Sequence, residues 1–279
     1  MATATLKPAS EAGRNFIPRE HGATAMLLTP FIAAAILLRQ FSWLEIVTLV
    51  AIGCAFAIKD PLVVMARQRW VWKQEHPETR QAKRSVAAEL VLLSVCGIVL
   101  LLFRDWRPLT LLFLAAAGFT VLAVMVNVRN RQRSVWFQVV SAVLLSSTAL
   151  GACLAARGNI ADWCWLLWMI CALQATTGIF VVHARLDARI AARKRDGHPG
   201  GSRRAAFVCE IILLAAAGMF AFFGRFWIAA ALAAAAAGYF LELHRQKNPA
   251  SLQMTLKRVG QEALALSIAY ALMVMIGLW

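Results

Sequence analysis

Polar and ionisable side chains lie inside the apolar stretches of this chain, where they are costly and therefore candidates for function. They concentrate near one end of each stretch, and the other ends are almost free of polar groups apart from Glu45. This asymmetry favours a polar cavity that opens to one face of a membrane and has an apolar floor. Snorkelling to the headgroups and helix capping are the alternative interpretation. The residues expected to line or rim the cavity are Arg19, His21, Lys59, Asp60, Arg67, Asn127, Arg131, His183, Arg185, Asp187, Arg258 and Glu262.

Helical spacing places some of these side chains in pairs on one helix face. Pairs separated by seven or four residues are Asp60 with Arg67, His183 with Asp187, and Arg258 with Glu262. Each pair either hides charge along its own helix or presents one group to a ligand. Arginines outnumber carboxylates around these positions, which favours an anionic ligand over a cation.

Nine apolar stretches must position these residues. A hydrocarbon core roughly 30 Å thick needs about 20 apolar residues per helix, and 61% of the residues are hydrophobic. We therefore predict an all-α polytopic membrane protein of about nine transmembrane helices, with a single transmembrane domain at 16–279 and a disordered cytosolic tail at 1–15. The predicted spans are 22–38, 43–66, 86–103, 108–128, 134–155, 162–182, 205–224, 225–243 and 259–278.

The connections between spans carry further expectations. The longest loops are expected near 67–85 and 183–204, and Gly224-Arg225 predicts a tight hairpin between the seventh and eighth spans. Of the 29 Lys and Arg residues, 23 fall on the N-terminus and every second loop, and five fall on the opposite side. The positive-inside rule then places the N-terminus in the cytosol and the C-terminus outside. The expected location is the bacterial cytoplasmic (inner) membrane, crossed many times.

The net charge of +15 is explained by this topology and by a surface that faces anionic headgroups. Nucleic-acid binding is the weaker interpretation of the same charge. The chain has no Walker motif, HExxH, CxxC pair or Gly-rich phosphate loop, so nothing supports an enzyme of the soluble type. We expect neither a cofactor nor a metal. Haem ligation by His21 and His183 is a weak alternative, since neither has a periodic partner.

Three patches resemble the YwiC-like family of bacterial integral membrane proteins. They are Pro18-Arg19-Glu20-His21-Gly22-Ala23, the basic run Arg129–Ser134, and Lys257-Arg258-Val259-Gly260-Gln261-Glu262. The first is fairly specific, and the likeness covers most of the chain. The family resemblance implies little chemistry.

A more distant likeness is to the UbiA prenyltransferase superfamily, which implies a nine-helix bundle around a central cavity. In that superfamily, Asp-rich motifs on the second and sixth helices hold Mg²⁺ against a prenyl diphosphate. The first motif would fall on Lys59, Asp60, Val63 and Arg67, and the second on His183 and Asp187. Only Asp60 and Asp187 keep a carboxylate, so the usual metal site is lacking. Lys59 and Arg67 could neutralise a phosphate directly, or the catalytic function could be lost.

These observations predict a membrane protein whose cytosol-facing polar cavity binds an anionic amphiphile, as a divergent UbiA-like protein. The expected partners are membrane lipids and an amphiphile such as a prenyl diphosphate or a quinone precursor. The residues leave open whether the protein is an enzyme; if it is, the resemblance implies a prenyltransferase-like transferase. The alternative is a non-enzymatic transport or accessory component of the membrane.

Overall fold

The structure is a computed structural model that describes residues 21–74, 78–193 and 201–279. These ranges contain helices and no strand, which confirms the all-α prediction. The predicted tail at 1–15 lies outside them. The helices are α1 (His21–Leu38), α2 (Trp43–Ala57), α3 (Lys59–Arg67), α4 (Glu78–Phe103), α5 (Trp106–Val128), α6 (Val135–Ser146), α7 (Thr148–Arg157), α8 (Asp162–Arg193), α9 (Ser202–Phe222), α10 (Phe226–Arg245), α11 (Pro249–Leu252) and α12 (Leu256–Leu278).

Within the described ranges, eight helical units are long and apolar enough to cross a membrane. Two of them join consecutive helices, because α2 and α3 form one unit with the turn that follows, and α6 and α7 form another. The remaining apolar stretch is the shorter helix Gly22–Leu38. The chain is therefore a polytopic membrane protein, as the apolar stretches predicted.

The second span changes its helical geometry twice. Pro61 lies one turn after Ala57 and lacks the N–H that would bond to the carbonyl of Ala57, so α2 ends there and α3 starts afresh. After α3 the chain continues as a π-helical turn, Gln68–Trp72, and then reverses at Lys73, whose φ is +54°. Turns of this kind bend a helix and mark functional regions more often than chance.

The predicted hairpin at Gly224-Arg225 is present between α9 and α10. Gly224 has a φ of +73°, which glycine adopts at little cost. The N–H of Arg225 donates to the carbonyl of Phe220 at 2.8 Å and closes the end of α9.

The prediction of long loops near 67–85 and 183–204 was wrong. Helix α4 already begins at Glu78, and α8 continues to Arg193. The apolar pattern reports only the length of helix inside the hydrocarbon, and both helices continue beyond it through stretches that contain basic residues. The connection after α10 also contains a short helix, α11, that hydropathy gave no reason to expect.

The main buried core lies around α8 and α10. It combines side chains of α1, α7, α9 and α12 with a run of small residues on α10, including Ala231, Ala235 and Ala236. Helices α4 and α5 lie away from this core and expose leucines and valines such as Leu102 and Leu111. The space between these two parts of the bundle is where the candidate site lies.

Candidate functional site

A cavity of about 870 Å³ lies among α1 to α7 and touches α8 at Ile179. Most of its walls are apolar. Its inner part is closed by Leu100, Leu109 and Leu154, all of them buried. Helices α4 and α5 supply further Leu, Phe and Ala side chains, so the walls suit a hydrocarbon chain.

Polar side chains line the opposite end of this cavity. Helices α1 and α6 begin there and α5 finishes there, because consecutive spans run in opposite directions. The polar lining residues of this end are Lys59, Asn127, Gln132, Arg133 and Gln138. We call this group the polar end of the cavity.

Lys59 is the most enclosed cation of the polar end, with its side chain 15% exposed. Its Nζ lies 3.7 Å from a carboxylate oxygen of Asp60 and 5.3 Å from the ring centre of Phe56. The side chain of Asp60 is more exposed, at 39%. Lys59 therefore faces the cavity while its neighbouring carboxylate reaches toward the outside.

Arg67 fixes the end of α5 against α3. Its Nη2 donates to the backbone carbonyl of Asn127 at 2.8 Å and to Oδ1 of Asn130 at 2.9 Å. The side-chain amide of Asn127 donates in turn to the carbonyl of Ala123 at 2.9 Å. Arg67 thus positions a lining residue, and Asp60, which shares its helix, makes a different contact.

His183 reaches the same region from α8. Its Nε2 lies 3.0 Å from Oε1 of Gln138, which lines the cavity, so the two side chains share a hydrogen bond. Asp187 is half-buried one turn further along α8. His183 therefore borders the polar end through Gln138.

Hydroxyl groups within the cavity are mostly used by the protein itself. Ser141 donates to the carbonyl of Phe137 at 2.7 Å, Thr120 to that of Ala116 at 2.9 Å, and Thr148 to that of Leu27 at 2.7 Å. The hydroxyl of Thr48 is buried and has no hydrogen-bond partner in the described part of the chain. It is a polar group deep in the cavity that a ligand could satisfy.

Arg185 lies in a different place, on the far side of α8. Its side chain is 1% exposed, and its Nη1 lies 2.5 Å from Oε1 of Glu242 on α10. Its Nη2 donates to the carbonyl of Ser251 at 2.5 Å. Arg189, one turn on, donates to the carbonyls of Leu252 and Met254. Both arginines hold the connection between α10 and α12, although the buried Nε of Arg185 has no hydrogen-bond partner among the described residues.

Arg258 and Glu262 form an exposed cluster at the start of α12. Nε of Arg258 lies 3.4 Å from one carboxylate oxygen of Glu262, and Nη1 of Arg245 lies 3.3 Å from the other. Arg131 is exposed beside the polar end and is not among the lining residues. Arg19 and the side chain of His21 lie outside the described part of the chain.

Three of the five polar-end residues, Gln132, Arg133 and Gln138, are not among the candidate residues of the sequence analysis, and neither is Thr48, deeper in the cavity. Arg133 contributes to the excess of arginine that favours an anionic ligand, and Thr48 resembles an ordinary small residue in an apolar helix. Their role depends on how α2, α5 and α6 are arranged in space, which no local pattern reports. Among the described residues, no three His, Cys, Asp or Glu side chains come together as a metal site would require.

The family model described as YwiC-like protein matches residues 17–153. This range includes the patch that begins at Pro18 and the run Arg129–Ser134, so the resemblance argued from those residues is confirmed there. The patch Lys257–Glu262 lies beyond the match. Searches of curated proteins and of solved structures each gave no match. The similarity to the UbiA superfamily therefore stays a prediction.

Proposed function

We propose that this protein, which matches the YwiC-like family model over residues 17–153, binds an anionic amphiphile in the cavity among α1 to α7. The anionic head lies at the polar end, and the hydrocarbon chain extends between the apolar walls. One observation supports this most: a cavity of about 870 Å³ with apolar walls and two cations at one end. That volume falls within the range of roughly 300–1,000 Å³ typical of small-molecule sites.

The polar end has the chemistry to hold an anion without a metal. Lys59 and Arg133 supply positive charge, and the amides of Gln132 and Gln138 supply further N–H donors. Hydrogen bonds from cations to a phosphate or carboxylate are short and strong, and Lys59 is the more enclosed of the two cations, since Arg133 is exposed. Binding is therefore expected to be the same in EDTA as in Mg²⁺.

The apolar floor favours binding over a transport cycle. An alternating-access transporter has a route from its site to both faces of the membrane. Here Leu100, Leu109 and Leu154 close the inner part of the cavity and are almost completely buried. An amphiphile would enter and leave at the polar end or sideways between helices.

Cytosolic orientation of the polar end follows from the distribution of basic residues, and labelling can test it. In a variant whose native cysteines are replaced by alanine, Arg131→Cys should react with a membrane-impermeant maleimide only in inside-out vesicles. Asn159→Cys, which is exposed at the opposite end, should react only in right-side-out vesicles. The reverse pattern would place the polar end outside the cell.

Binding can be measured on the purified full-length protein in detergent, with farnesyl diphosphate as the anionic probe and farnesol as its neutral counterpart. Arg133→Ala should weaken diphosphate binding about tenfold, as expected for the loss of a hydrogen bond to a charged group. Arg131→Ala, an exposed cation two residues away, should leave it unchanged. Arg67→Ala should weaken binding more than Asp60→Asn, because Arg67 holds the end of α5 that carries Asn127.

Three results would contradict the proposal. Equal affinity for farnesol would show that the cations do not recognise the head. Equal losses in Arg133→Ala and Arg131→Ala would show that the effect is a general one of surface charge. Loss of binding in EDTA would show that a metal holds the diphosphate and that the motif positions were assigned wrongly.

A further inference from the structure

A second concavity, of about 680 Å³, lies where α9 begins and α10 ends. We call it the α9–α10 groove. It shares no lining residue with the cavity described above. Because α9 starts and α10 finishes there, it lies at the same end of the bundle as the polar end of the cavity.

The mouth of the groove is basic. Arg203 and Arg204 come from the first turn of α9, His244 from the last turn of α10, and Lys247 from the residues that follow. In the part of the chain that is described, neither arginine nor Lys247 forms an ion pair with a carboxylate. Arg245, close to them on α10, is by contrast paired with Glu262 at 3.3 Å. The groove thus holds positive charge that the described carboxylates do not neutralise.

The backbone adds to this attraction. Gly201 lines the groove and precedes α9, and its carbonyl accepts the N–H groups of Arg204 and Ala205. These bonds use two N–H groups of the first turn, so the contribution of the backbone at this end is the helix dipole, which is favourable for phosphate.

The walls of the groove are apolar and open to the surroundings. Phe207, Val208 and Phe240 line it and are each more than half exposed, at 53%, 54% and 56%. A membrane helix exposes such side chains to hydrocarbon. A free inorganic anion would gain nothing from these walls, whereas a lipid would lay an acyl chain along them.

Glu210 is the acidic side chain that lines the groove. It is 3% exposed, and its Oε1 has no hydrogen-bond partner among the described residues. It lies six residues after Arg204 on α9, which is about 9 Å deeper along the helix. The carboxyl therefore sits well below the level of the basic mouth, away from the position of an anionic head.

We propose that the α9–α10 groove binds an anionic phospholipid. Its phosphate lies at Arg203, Arg204 and Lys247, and an acyl chain packs along Phe207, Val208 and Phe240. A basic pocket between membrane helices with an apolar wall beneath it matches the two halves of such a lipid. This site is independent of the amphiphile site in the cavity.

Native mass spectrometry of the detergent-purified full-length protein can test this site. The probes are phosphatidylglycerol, phosphatidylcholine with the same acyl chains, and inorganic phosphate. Removing each cation near an anionic lipid should weaken binding about fivefold. The double variant Arg203→Ala/Arg204→Ala should therefore bind phosphatidylglycerol roughly 25-fold more weakly. The control variant Arg129→Ala/Arg131→Ala removes two exposed cations outside the groove and should bind normally.

A charge-preserving variant separates recognition from folding. Arg203→Lys/Arg204→Lys should retain most of the phosphatidylglycerol binding, with a melting temperature like that of the unaltered protein. Three results would overturn the proposal: phosphatidylcholine binding equally well, inorganic phosphate competing at the same concentration as the lipid, or the control variant losing as much as the groove variant. Phe207→Ala should lower affinity for the lipid and leave binding of inorganic phosphate unchanged.

Discussion

Two parts of the molecule are both strongly apolar but differ in the fraction of their residues that is buried. They are the cavity side, formed by α4 and α5, and the packed side, formed by α8 and α10. In an 18-residue apolar segment of each helix, only 17% of the residues of α4 and 22% of those of α5 are buried inside the protein, against 50% for α8 and 44% for α10. Hydropathy alone therefore does not decide which membrane helices pack together.

Side-chain size explains the difference. Helix α10 presents small residues such as Ala231, Ala235 and Gly238 toward its neighbours, and small residues let membrane helices approach closely. Helix α5 carries large side chains such as Leu111 and Leu114, which are mostly exposed to lipid. Bulky side chains keep α4 and α5 from packing closely, which leaves space for a ligand beside them. The closely packed helices α8 and α10 form the rigid part of the bundle next to this space.

The largest expected effect is the loss of the buried ion pair on the packed side. Arg185→Ala removes the cation paired with Glu242, which keeps only the 3.2 Å hydrogen bond from Nε2 of Gln246, and removes one donor from the carbonyl of Ser251. Removing one partner of a buried pair costs about 3–5 kcal/mol where the other charge stays uncompensated, and the 18% exposure of Glu242 places this pair at the lower end of that range. The free energy of unfolding in mixed micelles should fall by that amount.

Arg258→Ala is the matched control for this pair. It removes an ion pair with Glu262 in which both side chains are exposed, so its cost should stay below about 1 kcal/mol. Similar costs for the two variants would mean that the Arg185 pair is hydrated and that the packed side is less tight than the structure indicates.

Glycine substitutions test the difference in packing between the packed side and the cavity side. A Cβ at Gly277 on α12 would lie 2.7 Å from Cγ1 of Ile228 and 3.0 Å from its backbone nitrogen. Gly277→Ala must therefore push α10 away and should cost about 1–3 kcal/mol in unfolding free energy. Gly118→Ala on α5 meets nothing within 4 Å and should be neutral or stabilising, since alanine favours helix. A destabilising Gly118→Ala would show a neighbour packed against α5.

The sequence predicted the apolar helices of the described residues and the hairpin at Gly224, because both signals are local: the length of an apolar run and a residue that tolerates positive φ. The break before Lys59 also has a local cause in Pro61, although the apolar pattern conceals it. The apolar pattern also did not predict that α4 and α8 extend beyond the hydrocarbon. The extensions are rich in basic residues, which are equally typical of loops.

The candidate site was less accessible to sequence reasoning. Polar residues at one end of the spans include Lys59 and Asn127, which line the cavity, and also Arg185, which does not. All three look alike in the sequence. Their roles differ because of the acceptors that surround them in the fold. For Arg185 the acceptor is Glu242, which is 57 residues away in the sequence. Such a contact depends on how α8 and α10 pack, which the apolar period does not specify.

Adding bulk to an alanine should have opposite consequences on the two sides. Ala235→Leu inserts a larger side chain where the residue is 0% exposed, and should cost about 1–3 kcal/mol of stability. Ala116→Leu projects into the cavity and should change stability little, while farnesyl diphosphate binding falls because the chain loses room. Unfolding in mixed micelles measures the loss of stability, and the binding assay measures the loss of room for the farnesyl chain. A stable Ala116→Leu variant with normal binding would show that the chain does not enter this cavity.

The smallest expected effect concerns single hydroxyl groups. On the packed side, Tyr239 accepts a hydrogen bond from Nε2 of Gln174 at 2.7 Å and donates to the carbonyl of Gln174 at 3.1 Å. Tyr239→Phe should lower the free energy of unfolding by about 1 kcal/mol, which is the usual scale for hydrogen bonds between membrane helices. On the cavity side, the hydroxyl of Thr120 donates to the carbonyl of Ala116 within its own helix and has no other partner among the described residues, so Thr120→Val should change stability by less than about 0.5 kcal/mol. If Thr120→Val cost as much as Tyr239→Phe, hydroxyl groups on the cavity side would contribute to holding the bundle together, and the contrast between the two sides would reduce to side-chain size alone.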